Sequence, residues 1–174
     1  RVLTRERGAE DPNSMNAVAN LANVHYHLGE YDEAAAALQG LAETKVRVLG
    51  EDHPSTLQAW NDLAVAWNGM GKHAEAESLG LRILEARRRL QGDDSPGTLQ
   101  SINNLAGVYM KTGRYAEAEP LYREAYGTAR RVLGPDHLQT IIMQGNLGDV
   151  LRRQGRCDEG GPLLREARGA AERA

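Results

Sequence analysis

Carboxamide side chains recur along this sequence at helical spacing, on one face of the first helix in each of four similar segments. An Asn or Gln side chain presents a donor and an acceptor side by side, so it can hold a peptide unit through two hydrogen bonds. Contacts of this kind recognise the polypeptide backbone rather than a particular side chain. The candidate positions are Asn16, Asn23, Gln58, Asn61, Asn68, Gln100 and Asn103.

Other side chains on the same face extend this candidate surface. Gly107 would let a ligand approach closely, and Tyr26, Val65 and Met110 offer shallow apolar contacts. Asn61 and Asn103 are expected to point furthest into the surface. A competing interpretation is that a neighbouring column of polar residues only caps or bridges helices and binds nothing. That column contains Asn20, Asp62, Asn104 and Asn146.

Positive charge collects at one end of the face. Lys111, Arg152 and Arg153 lie there beside Asp149, which predicts that an acidic group of a ligand lies over the third and fourth segments. The alternative is a solvated basic helix end, since cations favour the C-terminal end of a helix dipole.

Catalytic and metal chemistry have little support in the sequence. No paired carboxylates and no nucleophile beside a base stand out, so we predict no enzyme activity and no cofactor. His53 and His137 recur at the same place in two linkers, where capping of a helix is the simplest function. Cys157 is the single cysteine, and we expect it as an exposed thiol in the loop between the last two helices.

The elements that must position these side chains repeat every 42 residues. Gly29, Gly71, Gly113 and Gly155 keep this period, and so do Pro12, Pro54 and Pro96, with Leu138 in the fourth place. A fixed period of 20–50 residues indicates a repeat array. Each segment divides into two amphipathic helical patterns.

The predicted core of each segment follows the helical period. In the second segment Leu57, Trp60, Ala64 and Trp67 form one stripe, and the following helix, from about Ala74 to Leu90, has Ala76, Leu79, Ile83 and Leu90 inside. In the first segment the stripe is Met15, Val18, Leu21, Ala22 and His25. Small residues are expected where the paired helices approach: Ala22, Ala64, Ala106 and Gly148 facing Ala34, Ala76, Ala118 and Gly160. The fourth segment has four glycines in or near its helices and should be the least stable.

Composition excludes some partners. The chain has 174 residues and a formal net charge of −3, which is not the basic footprint of a nucleic-acid binder. No apolar run reaches the ~18 residues of a membrane span, and no targeting signal is visible at the N-terminus. We therefore expect no membrane contact, no nucleic-acid partner and a cytoplasmic location, which one unpaired cysteine also suits.

The repeated phrase resembles the tetratricopeptide repeat. Trp60-x2-Leu63-Ala64-x2-Trp67 and Ala118-x3-Tyr122 match its core pattern. The 42-residue period and the Leu-Gly-Glu-Asp-His-Pro linker are similar to the kinesin-light-chain subgroup. The resemblance implies an all-α, right-handed superhelical solenoid of four helix-turn-helix units. The repeats would be 13–54, 55–96, 97–138 and 139–174, with 1–12 as the tail of a preceding repeat and a linker.

The resemblance also implies a function. A protein-interaction module of this kind would receive an extended peptide or protein segment in a concave groove lined by the first helix of each repeat. Two alternatives remain open. One is a sensing domain from a larger signalling protein, attached to a nucleotide-binding switch, a transcription regulator or a kinase. The other is a scaffold that self-associates through its end repeats. The first of these suits our expectation that the chain is a piece of a longer protein.

Overall fold

The computed structural model describes Gly8 and residues 10–173. Within that part of the chain there are eight α-helices and no strand. The helices are α1 (Pro12–His27), α2 (Tyr31–Leu49), α3 (Pro54–Gly69), α4 (His73–Gln91), α5 (Pro96–Lys111), α6 (Tyr115–Val132), α7 (Leu138–Arg153) and α8 (Cys157–Ala171). The expected tail of a preceding repeat, Arg1 to Arg7, lies outside the described residues. The all-α fold is as predicted.

The first helix of each pair begins at a side-chain cap. Asp11, His53, Ser95 and His137 occupy the same place in the period, and each accepts a hydrogen bond from a backbone N–H of the following turn. Such caps satisfy donors that the first turn of a helix leaves open. His53 Nδ1 accepts from Ser55 N at 3.1 Å and His137 Nδ1 from Gln139 N at 3.2 Å. The capping function expected for both histidines is therefore present.

The first helix of each pair ends before a glycine. The four periodic glycines have φ angles of 74° to 82°, in the left-handed region that residues with a Cβ rarely adopt. Because caps and glycines are local signals, the limits of the first helix in each pair follow directly from the sequence. Cys157 differs from expectation, since it is the first residue of α8 and does not lie in a loop. Its thiol is exposed.

The described residues form two compact units, which divide between Leu90 and Gln91. In the N-terminal unit the core joins α1, α2 and α3 through small and branched residues, among them Ala22, Ala34, Leu38, Leu63 and Ala66. The small residues at the predicted helix approaches, Ala22 and Ala34, are completely buried.

Two residues predicted in the stripes are not in the core. Leu21 is 50% exposed and Leu90 is 45% exposed. Leu21 lies on a face of α1 that also carries Val24 and Leu28, which are 53% and 67% exposed. The apolar stripe of this helix is therefore wider than the surface that α2 covers.

In the C-terminal unit α7 and α8 come very close together. A Cβ built on Gly160 would lie 2.5 Å from the backbone oxygen of Gly148, and a Cβ built on Gly148 would lie 3.1 Å from the oxygen of Gly160. These two glycines therefore serve close packing and do not simply weaken the helices. The buried core of this unit includes Leu99, Ile102, Leu105, Ile141, Leu147 and Leu151.

None of the described helices is long and apolar enough to cross a membrane.

Candidate functional site

In the C-terminal unit two carboxamides link the first helices of the two pairs. Nδ2 of Asn146 on α7 donates to Oδ1 of Asn103 on α5 at 2.8 Å. Both side chains are half-buried. Asn103 is predicted to point into the binding surface, and in the competing interpretation Asn146 bridges helices. The structure joins the two in one contact. The hydrogen bond fixes the orientation of both amides. Nδ2 of Asn103 and Oδ1 of Asn146 do not take part in it.

Gly107, on the predicted binding face of α5, lies next to the buried side chain of Tyr122. A Cβ on Gly107 would lie 3.8 Å from the Tyr122 hydroxyl, which is ordinary contact, so Gly107 leaves room above the tyrosine without being sterically required there. Tyr122 is 4% exposed. Burial and the nearby charge of Asp149 raise the pKa of the Tyr122 hydroxyl, so the group is a neutral donor and acceptor.

Asp149 holds the two arginines at the end of α7. Arg152 donates to Oδ1 of Asp149 at 2.8 Å, and Nε of Arg153 donates to Oδ2 at 2.9 Å. Burial alone would raise the pKa of Asp149, but these hydrogen bonds hold it below its usual value. The arginine side chains remain 55% and 46% exposed. Lys111, at the end of α5, is also exposed.

The other end of α7 is apolar and exposed. Leu138 is 63% exposed and Ile142 is 48% exposed, one helical turn apart. Met110 of α5 and Gln100, another predicted site residue, are half-buried. The exposed apolar pair and the arginine pair thus lie at opposite ends of one helix.

The predicted site residues of α3 are enclosed or engaged. Asn61 is only 3% exposed, so it cannot contact a ligand while the helices keep this arrangement. Oδ1 of Asn68 lies 2.7 Å from Nδ1 of His73, and Val65 is half-buried. These three therefore offer little polar surface to a partner.

Gln58 belongs to a polar network inside the N-terminal unit. It donates to Asp62 at 2.8 Å and accepts from Arg87 of α4 at 2.8 Å. Lys45 of α2 donates to Oγ of Ser55 at 2.8 Å, and its side chain is 7% exposed. Burial raises the pKa of Asp62. Hydrogen bonds from Gln58 and Asn61, and the positive charges of Arg87 and Lys45, offset this effect only in part.

On α1 the predicted residues remain accessible. Asn16 and Asn23 are exposed. Tyr26 is half-buried, with its ring centroid 5.3 Å from that of Tyr31. Burial raises the pKa of the Tyr26 hydroxyl. The predicted site residues of α1, α3, α5 and α7 thus differ widely in how accessible they are to a binding partner.

Sequence reasoning missed two features. It did not single out Leu138 as an exposed apolar residue, although leucine in the place of the periodic prolines was a visible signal. It also missed the buried Lys45 and Arg87, which are 2 to 7% exposed. Their spacing of 42 residues could have placed them at equivalent ends of α2 and α4.

Comparison with known families decides the identity of the fold. The family described as tetratricopeptide repeat matches residues 13–89, 58–109 and 97–173. This chain belongs to the tetratricopeptide repeat family. Tetratricopeptide repeats generally form non-enzymatic scaffolds that bind proteins or peptides, which supports a protein–protein interaction module.

Solved structures show the same fold at low sequence identity. Nearly identical repeats of a kinesin light chain from Podosopora anserina share 23% identity and a TM-score of 0.71, covering 99% of this chain and 82% of that one. BtubC (BKLC) from P. vanneervenii shares 20% identity and a TM-score of 0.77, over 93% of this chain and 65% of that chain.

A third similar structure is that of Rap protein complexed with Competence and Sporulation Factor. It shares 15% identity and a TM-score of 0.80, covering 92% of this chain and 43% of the Rap chain. The resemblance to kinesin-light-chain repeats is thus confirmed for the fold. No sequence among curated proteins matches this chain.

Proposed function

We propose that this tetratricopeptide repeat chain binds an extended segment of a partner protein across α5 and α7 of the C-terminal unit. The observation that carries the proposal is the placement of exposed Leu138 and Ile142 at one end of α7 and exposed Arg152 and Arg153 at the other. An apolar side chain of the partner contacts the first pair, and a carboxylate contacts the second.

The arginines retain the capacity to bind a carboxylate although both contact Asp149. A guanidinium has five N–H donors in a planar fork, and one contact from each arginine is used on Asp149. The three side chains together carry one net positive charge, and exposed Lys111 at the end of α5 raises the net charge of the predicted face to two. An acidic ligand is therefore favoured over a basic one.

The length of α7 sets the spacing of the two contacts. Ile142 and Arg152 are ten positions apart, which corresponds to about 15 Å at the rise of an α-helix. An extended peptide covers about 3.3 Å per residue. The apolar residue and the acidic residue of the ligand are therefore about four to five residues apart.

Between these contacts the surface suits a peptide backbone. The Asn103–Asn146 bridge leaves one amide donor and one amide acceptor in fixed orientations. Because Gly107 has no side chain, α5 leaves space for a peptide backbone next to the Tyr122 hydroxyl. Asn61, buried as it is, has no part in this proposal, and the predicted groove is accordingly restricted to the C-terminal unit.

Selection from a random twelve-residue peptide library tests the proposal. Peptides enriched by the wild-type chain should carry an acidic residue four or five positions from a large apolar one. Their affinity should fall with added salt, since exposed charges are screened. The Arg152→Glu/Arg153→Glu variant should bind them at least ten-fold more weakly.

The matched control is Arg130→Glu/Arg165→Glu, which changes the charge equally on exposed arginines of α6 and α8. It should retain binding. Asp149→Asn should strengthen binding, since it removes the negative charge that both arginines contact. Enriched peptides without acidic residues, or equal binding by the two charge-reversed variants, would refute the proposed orientation.

A regulatory role within a larger protein is the second candidate. Rap protein, a structural neighbour, was solved with Competence and Sporulation Factor bound, which supports occupancy of this fold by a regulatory ligand. In that case the surface would hold part of the parent protein until a ligand displaced it. Adding the selected peptide to the full-length parent should then change its activity, and no change would favour a simple adaptor.

Self-association is the third candidate, and it rests on α1. Leu21, Val24 and Leu28 form an exposed apolar stripe on this helix. Light scattering should then show a mass that rises with concentration and returns to the monomer in a Leu21→Glu/Leu28→Glu variant. A monomer at all concentrations would exclude self-association.

The repeat boundaries and the cytoplasmic location remain predictions.

A further inference from the structure

The N-terminal unit contains a cavity of about 570 Å³ between α3 and α4, here called the Trp60–Trp67 cavity. It is separate from the peptide surface proposed above. Its lining residues are Glu51, Asp52, Leu57, Trp60, Trp67, Ala74, Glu75, Ser78, Leu79, Arg82, Ile83 and Ala86. Its volume lies within the range of about 300–1,000 Å³ in which proteins bind ligands.

The floor of the cavity is apolar and aromatic. Leu57 and Ile83 are buried, at 5% and 2% exposure, whereas Trp60, Trp67 and Leu79 are half-buried. Two tryptophans that retain exposure beside an open space are typical of a contact site, because such residues contribute most to binding at interfaces. The floor therefore suits a large apolar side chain.

The rim of the cavity is acidic. Glu51, Asp52 and Glu75 contribute three carboxylates, and all three are exposed, as is Arg82 on the same rim. Two guanidiniums, those of Arg82 and of the Arg89 bound to Asp52, offset all but one of these negative charges. Asp52 accepts a hydrogen bond from Arg89 at 3.0 Å, whereas Glu51 and Glu75 are available to a partner. This charge balance favours a basic ligand.

The carboxylates lie at opposite ends of the cavity. Asp52 contacts Arg89 near the end of α4, and Glu75 lies in the first turn of the same helix. The fourteen positions between Glu75 and Arg89 correspond to about 21 Å along the helix. A single small cation cannot reach both ends, but an extended chain segment reaches them with about six residues.

We propose that the Trp60–Trp67 cavity binds a protein segment in which an apolar side chain is flanked on each side by a lysine or arginine about three residues away. The apolar side chain enters between the tryptophans. The two cations contact Glu75 at one end and Glu51 at the other. Arg82, half-way along the rim, disfavours a third cation at the centre.

Tryptophan emission provides a direct test, because the chain has two tryptophans and both line the cavity. The probe is the peptide Lys-Ala-Ala-Phe-Ala-Ala-Lys with blocked ends, whose phenylalanine is not excited at the wavelengths that excite tryptophan. We expect a saturable change in emission. A Glu-Ala-Ala-Phe-Ala-Ala-Glu peptide, a peptide with serine in place of phenylalanine, and phenethylammonium should each bind at least ten-fold more weakly.

Charge variants locate the binding. Glu51→Lys/Glu75→Lys should weaken the lysine peptide at least ten-fold. The control Glu33→Lys/Glu85→Lys makes the same charge change on exposed acids of α2 and α4 outside the cavity, and it should leave the affinity unchanged. Arg82→Gln should strengthen binding, and this gain provides a test even where a double variant folds poorly.

Three results would overturn the proposal. One is the absence of a saturable emission change with the lysine peptide. Another is equal affinity for the lysine and glutamate peptides, which would remove the argument from charge. The third is binding of phenethylammonium as tightly as the peptide, which would indicate a small-molecule site.

Discussion

Two glycines of the last helical pair, Gly148 and Gly160, lie where α7 and α8 come closest. Their positions correspond to alanines in the preceding pairs, Ala106 and Ala118, both completely buried. A helical glycine normally costs ~1 kcal/mol relative to alanine. At Gly160 the backbone oxygen of Gly148 occupies the space that the methyl group of an alanine would need. Alanine is therefore expected to be less stable than glycine at this position.

Gly160→Ala should therefore lower the free energy of unfolding by about 1–3 kcal/mol, the usual cost of overpacking a core. Gly127→Ala is the matched control, because a Cβ at this helical position of α6 meets nothing within 4 Å. It should stabilise the chain by up to ~1 kcal/mol. Urea unfolding measures both, and stabilisation by both substitutions would show that α7 and α8 are further apart than described.

Asp62 makes the stability of the N-terminal unit depend on pH. Burial raises its pKa, so the folded chain keeps this proton at pH values where the unfolded chain has lost it. A raised carboxyl pKa contributes most stability below the unfolded value, and the contribution falls as pH rises through the folded value.

Asp62→Asn removes this titration, and asparagine already occupies the equivalent position at Asn104 and Asn146. Between pH 4 and pH 7 the stability of the variant should rise relative to that of the wild type. Urea unfolding at both values checks this. A constant or falling relative stability would mean that the hydrogen bonds and positive charges around Asp62 outweigh the cost of burial.

At the scale of elements, the Asn103–Asn146 bridge connects helices that are distant in sequence. Both amides are half-buried, so the hydrogen bond competes with water less than an exposed one does. A net contribution of about 0.5–1.5 kcal/mol is usual for such a bond. The pair therefore ties α5 to α7 and also positions the amides for a ligand.

A double-mutant cycle of Asn103→Ala and Asn146→Ala should give a coupling energy of about 1 kcal/mol. The control cycle pairs Asn103→Ala with Asn16→Ala, because Asn16 is exposed on α1 in the other unit. That cycle should be additive. A coupling near zero for the first pair would leave each amide independently available to a ligand.

At the scale of the molecule, two proposed sites lie in separate units. A ligand that binds only the folded chain stabilises it by about 2.7 kcal/mol at one hundred times its dissociation constant. Because each proposed site belongs to only one unit, the acidic peptide and the basic peptide should protect different helices from hydrogen exchange.

In hydrogen exchange, the selected acidic peptide should slow exchange in α7, and the lysine peptide should slow it in α3 and α4. Each peptide alone, compared with the free chain, is its own control. Protection of the same helices by both peptides would contradict two distinct sites. In the free chain, the last helical pair is still predicted to exchange fastest, although its glycines now have a packing function.

The sequence alone determined the family, the eight helices and the limits of the first helix in each pair. These features depend on local signals, such as the caps at Asp11 and Ser95 and the periodic glycines, which act within one turn of the chain. The 42-residue period repeats these local signals in four helical pairs, so a helix limit that is weakly marked in one pair can be read from the others.

Only the tertiary structure decided which polar residues a partner can reach. Asn61 and Asn103 hold the same place in the period, yet Asn61 is buried whereas Asn103 accepts a bond from Asn146. Leu21 is in the predicted stripe but exposed. The period fixes the direction of a side chain on its own helix, but its exposure depends on the neighbouring helices, whose side chains differ from repeat to repeat. For the same reason the Trp60–Trp67 cavity could not be inferred from either tryptophan alone.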